Sequence, residues 1–136
     1  MTMDIPHVKL TGVVPYINLD GAGAASDFYQ KAFGAQELMR LPADDGKRVM
    51  HCCLKINDGH LMISDCFPEH GVTYQRSGSY TMHLQVSDID AWFQRAADAG
   101  AEVTMPVQLM FWGDRYGQLR DPFGVTWSMG QTVDPA

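Results

Sequence analysis

Apolar and polar residues alternate through "VVPYINL" at 13–19, and the pattern then changes to a helical period. Successive side chains of a strand point to opposite sides, so Val13, Ile17 and Leu19 share one face while Val14, Tyr16 and Asn18 share the other. Beyond Gly21, residues Ala25, Phe28, Tyr29, Ala32 and Phe33 recur three and four apart, which predicts a helix with one buried stripe that stops at Gly34. Three more strands follow, "ELMRL", "RVMHCCLKI" and "HLMISD", divided by turns at "PADDGK" and "NDG". The order is strand, helix, strand, strand, strand.

The second half of the chain repeats this order. Gly34-Ala35 aligns with Gly100-Ala101, and Asp20 before the first helix answers Asp88 before the second. In the strand "HLQVS" and its flanks, Met82, Leu84 and Val86 oppose Thr81, His83 and Gln85. Ile89, Trp92, Phe93, Ala96 and Ala97 supply the second helical stripe, and "EVTMPVQLMF", "RYGQLRD" and "VTWSMG" supply the later strands. In the last of these, Val125, Trp127 and Met129 oppose Thr126 and Ser128. The apolar sets belong under the helices. The Pro-, Gly- and Ser-bearing "CFPEHGVTYQRSGS" reads as the connection between halves.

Composition narrows the picture. With 136 residues, 46% hydrophobic and 19% charged, the chain is expected to form a single domain spanning 1–136. Its first module covers about 10–66, the connection about 67–79 and the second module about 80–130. A formal charge of −6 and no basic stripe argue against nucleic acid as a partner. No apolar run is long enough for a membrane span and "MTMDIPHVKL" has no signal-peptide pattern, so a cytoplasmic protein is expected. Cys52, Cys53 and Cys66 form neither a disulfide framework nor a spaced metal clasp, and read as reduced structural thiols.

The tandem βαβββ order, the Gly-Ala after each helix and the closing "DPFGVTW" resemble the vicinal oxygen chelate superfamily, which includes glyoxalases, extradiol dioxygenases and bleomycin-resistance proteins. Within it, "FYQKAFGA", "LMISD" and "WGDRYGQLRDPFGVTW" resemble the PhnB-like branch. The resemblance covers roughly residues 10–130. It implies an α+β fold whose two modules form a curled, cup-shaped mixed sheet with the helices outside, and commonly a homodimer. Methyltransferase labels attached to that branch find no methyl-donor motif in this chain.

Under that resemblance the polar strand faces line the cup. Tyr16, Asn18, His51, Cys53, Thr81, Gln85 and Ser128 then become candidate ligand-binding residues, with His83 among them. The metal positions of glyoxalase-type members carry over to Val14, Thr81, Ser128 and about Ile63. None is a good ligand, since valine and isoleucine offer no donor and neutral hydroxyls replace imidazole or carboxylate poorly. The expectation is therefore no cofactor and no metal in the usual site. His83 and Asp65, with His51, leave an alternative divalent site open, and His83 and Asp65 are the natural proton acceptors if the protein is an enzyme. His7, His60 and His70 fall in a tail, a turn and a loop.

The stretch "FWGDRYGQLRDPFGVTW" is read mainly as structure. "DPFG" has Pro second and Gly fourth, as a tight turn requires, and Asp121 should accept backbone hydrogen bonds across it. Arg115 and Arg120 should find carboxylates, and Trp127 should be buried. Trp112 and Tyr116 precede the turn. They suit an organic ligand, but hydrophobic core is the leading role read for Trp112. Three functions stay open: a metal-independent binder of a small organic molecule, a small isomerase, lyase or dioxygenase built around His83 and Asp65, and a retained fold with no small-molecule role.

Overall fold

The computed structural model describes residues 8–76 and 78–133. His7 lies outside them. In chain order the elements are β1 (Tyr16–Leu19), α1 (Ala22–Phe33), β2 (Gln36–Pro42), β3 (Val49–Ile56), β4 (Gly59–Asp65), β5 (Met82–Gln85), α2 (Ile89–Ala99), β6 (Glu102–Leu109), β7 (Asp114–Arg120) and β8 (Thr126–Thr132). They make two open four-stranded mixed sheets, ordered β1-β4-β3-β2 and β5-β8-β7-β6. In each, the first strand pairs parallel to the last and the other pairs are antiparallel. The fold is α+β with two βαβββ modules.

The residues group into two compact units that divide between Gln75 and Arg76, except that Lys31–Phe33 belongs to the second unit. In unit one, Ile17, Leu19, Cys52, Leu54, Ile56, Leu61 and Ile63 are buried on one face of the sheet. Their helix, α1, is tied to β2 by the Ser26 hydroxyl, which donates to Glu37, and by Arg40, which bonds Glu37, Asp27 and the Gly23 carbonyl. Asn57 and Asp58 both have positive φ, 47° and 65°, as the primed hairpin turn between β3 and β4 demands.

Unit two buries Leu84, Leu119, Trp127 and Met129 on the face covered by α2. Phe33, from the last turn of α1, packs against Trp127 with ring centres 4.5 Å apart and planes tilted by 42°. Asp121 organises the closing turn as the sequence suggests: its carboxylate accepts from Phe123 N, Val125 N and the Trp127 indole N–H. Arg115 forms a two-pronged pair with Asp90, and Arg120 reaches Glu102 at 3.9 Å.

Three expectations change. Val13 does not lie under a helix; it precedes β1 and is 98% exposed. Pro15 beside it has no N–H to give a ladder, so regular pairing starts only at Tyr16. The matched aspartates are not equivalent: Asp88 caps α2 by accepting from Ala91 N, whereas the cap position of α1 is Gly21, with φ 92° and no side-chain cap of its own. Finally, His70, expected in a loop, ends a short 3-10 turn, Pro68–His70, within the connection.

Candidate functional site

The polar face of unit two brings together His83, Gln85, Ser128, Tyr116 and Trp112, five of the eleven predicted residues. Register places His83 beside Ser128, and Ser128 beside Gln118, across β5, β8 and β7. His83 Nδ1 lies 2.7 Å from Ser128 Oγ, and its Nε2 lies 2.8 Å from Gln85 Oε1. Gln85 in turn donates from Nε2 to Thr132 Oγ1 at 3.0 Å. Because a carbonyl oxygen can only accept, this amide orientation puts the imidazole proton on Nε2. In the neutral ring Nδ1 then accepts from the Ser128 hydroxyl.

Aromatic rings border this chain of bonds. Tyr116 lies nearly parallel to His83, with centroids 6.0 Å apart and planes 17° apart. Trp112 meets Tyr116 edge to face at 5.5 Å, and Gln118 donates to the Tyr116 hydroxyl. Trp112 is 49% exposed, so the core role that its sequence favours does not hold. Gly130 explains how the side chains fit: a Cβ there would come within 2.6 Å of Gln85 Oε1 and 3.0 Å of the His83 ring. The two side chains lie across a bare stretch of β8.

Thr81 is exposed and precedes β5, outside the bonded group. Gln118, Gly130 and Thr132 were not singled out by sequence. Strand parity alone puts Gln118 on the same face as Tyr116, and could have found it.

Unit one carries a smaller polar set. The Tyr16 hydroxyl is 2.9 Å from His51 Nδ1, with their rings 5.5 Å apart, and Asn18 donates to Ser64 Oγ at 2.7 Å. Cys53 aligns with Met62 and is 1% exposed, and burial pushes its thiol up. All three cysteines are free and buried.

Asp65 is placed differently from the other candidates. It aligns with buried Leu19, and its carboxylate accepts from Gly21 N at 2.7 Å, Ala22 N at 2.9 Å and Val49 N at 2.7 Å. Two of those N–H groups begin α1, where a helix has unpaired donors and favours negative charge. The carboxylate caps the helix from a strand end rather than facing the polar side of its sheet.

The donor chemistry does not fit the divalent ion of glyoxalase-type members. Among the described residues no group of three or more His, Cys, Asp or Glu side chains is placed to share a metal. His83 is bonded by a hydroxyl and an amide. Ile63, one of the carried-over positions, is fully buried on the helix-covered face.

Two βαβββ modules, with the closing "DPFG" turn held by Asp121, define the fold class, and sequence comparison agrees. Residues 5–129 match the profile of the Glyoxalase/Bleomycin resistance protein/Dioxygenase superfamily, to which this chain belongs. An uncharacterised protein of Mycobacterium bovis is 46% identical over 125 residues, covering 88% of this chain and 82% of that protein. Among solved structures, TioX from Micromonospora sp. ML1 is similar with TM-score 0.71 and 26% identity, covering 93% of this chain and 99% of that one. A PhnB protein from Bacillus cereus shares the fold at TM-score 0.70 and 19% identity, covering 90% of this chain and 100% of that one. No helix among the described residues is long and apolar enough to cross a membrane.

Proposed function

We propose that this protein binds a small organic molecule on the polar face of its second unit, without the divalent metal of its glyoxalase-type relatives. The observation that carries this reading is the continuous group of His83, Gln85, Ser128 and Thr132, bordered by Tyr116 and Trp112. Binding sites combine aromatic surface with a few fixed polar groups, and here the amides and hydroxyls are oriented by one another. None of these side chains is a carboxylate, a lysine or an arginine, so the ligand is recognised by hydrogen bonds and ring contact rather than by a fixed charge. Tyr16, Asn18, His51 and Cys53 are the corresponding candidates in the first unit.

A homodimer is part of the proposal. Leu109 and Phe111, 68% and 96% exposed beside Trp112 at the β6–β7 turn, form an apolar tip of the kind that associates. Light scattering at low micromolar concentration tests it, with a monomer mass as the contrary result.

Thermal-shift screening of planar aromatic and polyhydroxylated metabolites, with a chelator present throughout, tests the binding reading. A ligand that binds only the native state raises the apparent melting temperature. The expected result is a dose-dependent rise that Tyr116→Ala abolishes. A rise seen only when the chelator is left out, together with stoichiometric metal in the untreated protein, would contradict the metal-free part.

A further inference from the structure

We infer that Ser128, His83 and Gln85 form a nucleophile, base and orienter that hydrolyse esters of short acyl chains. The inference rests on the polar face being a binding surface and adds a reaction to it. No such trio can be named from sequence, because Ser128 is 45 residues from His83. Strand pairing sets them side by side.

Each requirement of an activated serine has a counterpart on this face. The base lies 2.7 Å from the hydroxyl through Nδ1, inside the reach that proton transfer needs. Its opposite nitrogen, Nε2, is held 2.8 Å from Gln85 Oε1, which fixes the tautomer that leaves Nδ1 free to accept. The bond from Gln85 to Thr132 keeps that carbonyl turned toward the ring. Gln85 is a positioning residue. Gln118, in register with Ser128, carries a second amide N–H beyond the one given to Tyr116, and is the candidate donor for a developing oxyanion.

The reaction balances without any added reagent but water. Ser128 Oγ bonds to the carbonyl carbon as its proton passes to His83 Nδ1, and the carbonyl π pair moves onto oxygen. The adduct collapses, the carbon–oxygen bond to the alcohol breaks, and the alcohol leaves with the proton from Nδ1. Water then attacks the acyl-serine by the same exchange, releasing the acid and restoring the hydroxyl. Ser128 is 2% exposed and its register partner His83 is exposed, which restricts the inferred substrate to a small acyl group. Acetyl esters fit that limit and long-chain esters do not.

The test is incubation with p-nitrophenyl acetate, followed by acid quench and peptide mass spectrometry, with p-nitrophenol release measured in parallel. The expected result is acetyl on Ser128, with turnover at least tenfold above the Ser128→Ala protein. His83→Ala should lose the adduct. Gln85→Leu should lower kcat tenfold or more with little change in KM and displace the pH profile, while Gln85→Glu, which can still accept from Nε2, restores much of the rate. Acetyl found only on lysines or the N-terminus of the wild-type protein would overturn the inference, and needs no variant to fold. Ligand-induced thermal shifts that persist alongside such a result would leave the binding reading standing.

Discussion

Replacing Asp65 separates a structural carboxylate from a catalytic one. Asp65→Ala removes three hydrogen bonds, of which those from Ala22 N and Val49 N are buried and that from Gly21 N is partly so. Each buried N–H left without an acceptor costs about 1–3 kcal/mol. Losing the negative charge at the start of α1 adds about 0.3–1 kcal/mol. Water admitted to the partly open Gly21 site offsets some of this, so a net loss of about 3–5 kcal/mol is expected. Against a typical domain stability of about 5–15 kcal/mol, that is a large share. Asp65→Asn keeps one carbonyl oxygen but presents an N–H2 group to one side, and should lose about half as much. Urea unfolding followed by circular dichroism measures both, provided the slope with denaturant is unchanged. Variants within about 1 kcal/mol of wild type would refute the capping role and return Asp65 to the list of proton acceptors.

Four further outcomes are expected. Gly130→Ala should push Gln85 and His83 aside and weaken ligand binding at least tenfold with little effect on melting, because the displaced atoms end flexible side chains. Gly117→Ala, whose Cβ would lie 2.7 Å from Phe93 Cε2 and 3.1 Å from the Met105 carbonyl, should instead cost about 1–3 kcal/mol, read from the same urea curves. Native protein at pH 8 should react slowly with a thiol-disulfide reagent and release three equivalents once unfolded, since burial pushes Cys52 up to about 11 and raises Cys53 and Cys66; fast reaction of any thiol in the native protein contradicts this. In acid, burial works against ionisation of Glu37, but bonds from Arg40, Ser26 and Gln30 outweigh it and hold its carboxyl below 4.5. Bonds from Arg48 likewise hold Glu69 at about 2. A carboxyl depressed by folding gives stability that is whole above its unfolded value and is lost as pH falls through its folded one. Urea midpoints should therefore decline below about pH 4.5, and less so in Arg48→Met, which frees Glu69; the same acid decline in both proteins would contradict the Arg48 contribution.

Much of the architecture was legible because it depends on local pattern. Helix period, strand alternation and the glycines that end both helices are short-range signals, and Gly34 does adopt the left-handed conformation there. Val13 misled because alternation continues through Pro15 while the hydrogen-bond ladder does not. The site was legible only in part. Parity put His83, Gln85 and Ser128 on polar faces, but their mutual bonds depend on which strands pair and in what register. Asp65 was harder still, since it caps a helix that begins 43 residues earlier in the chain. Nothing in a local window separates such a carboxylate from a proton acceptor.

Binding of a ligand to the polar face of the second unit without metal is read from proton–nitrogen NMR spectra of the protein in chelator. The side-chain amides of Gln85 and Gln118 and the ring of His83 report on that face atom by atom. A ligand found by thermal shift is expected to move those signals together, saturably, with the backbone resonances of Tyr116 and Ser128. Shifts confined to other residues, or a response that appears only when a divalent metal is restored, would contradict it.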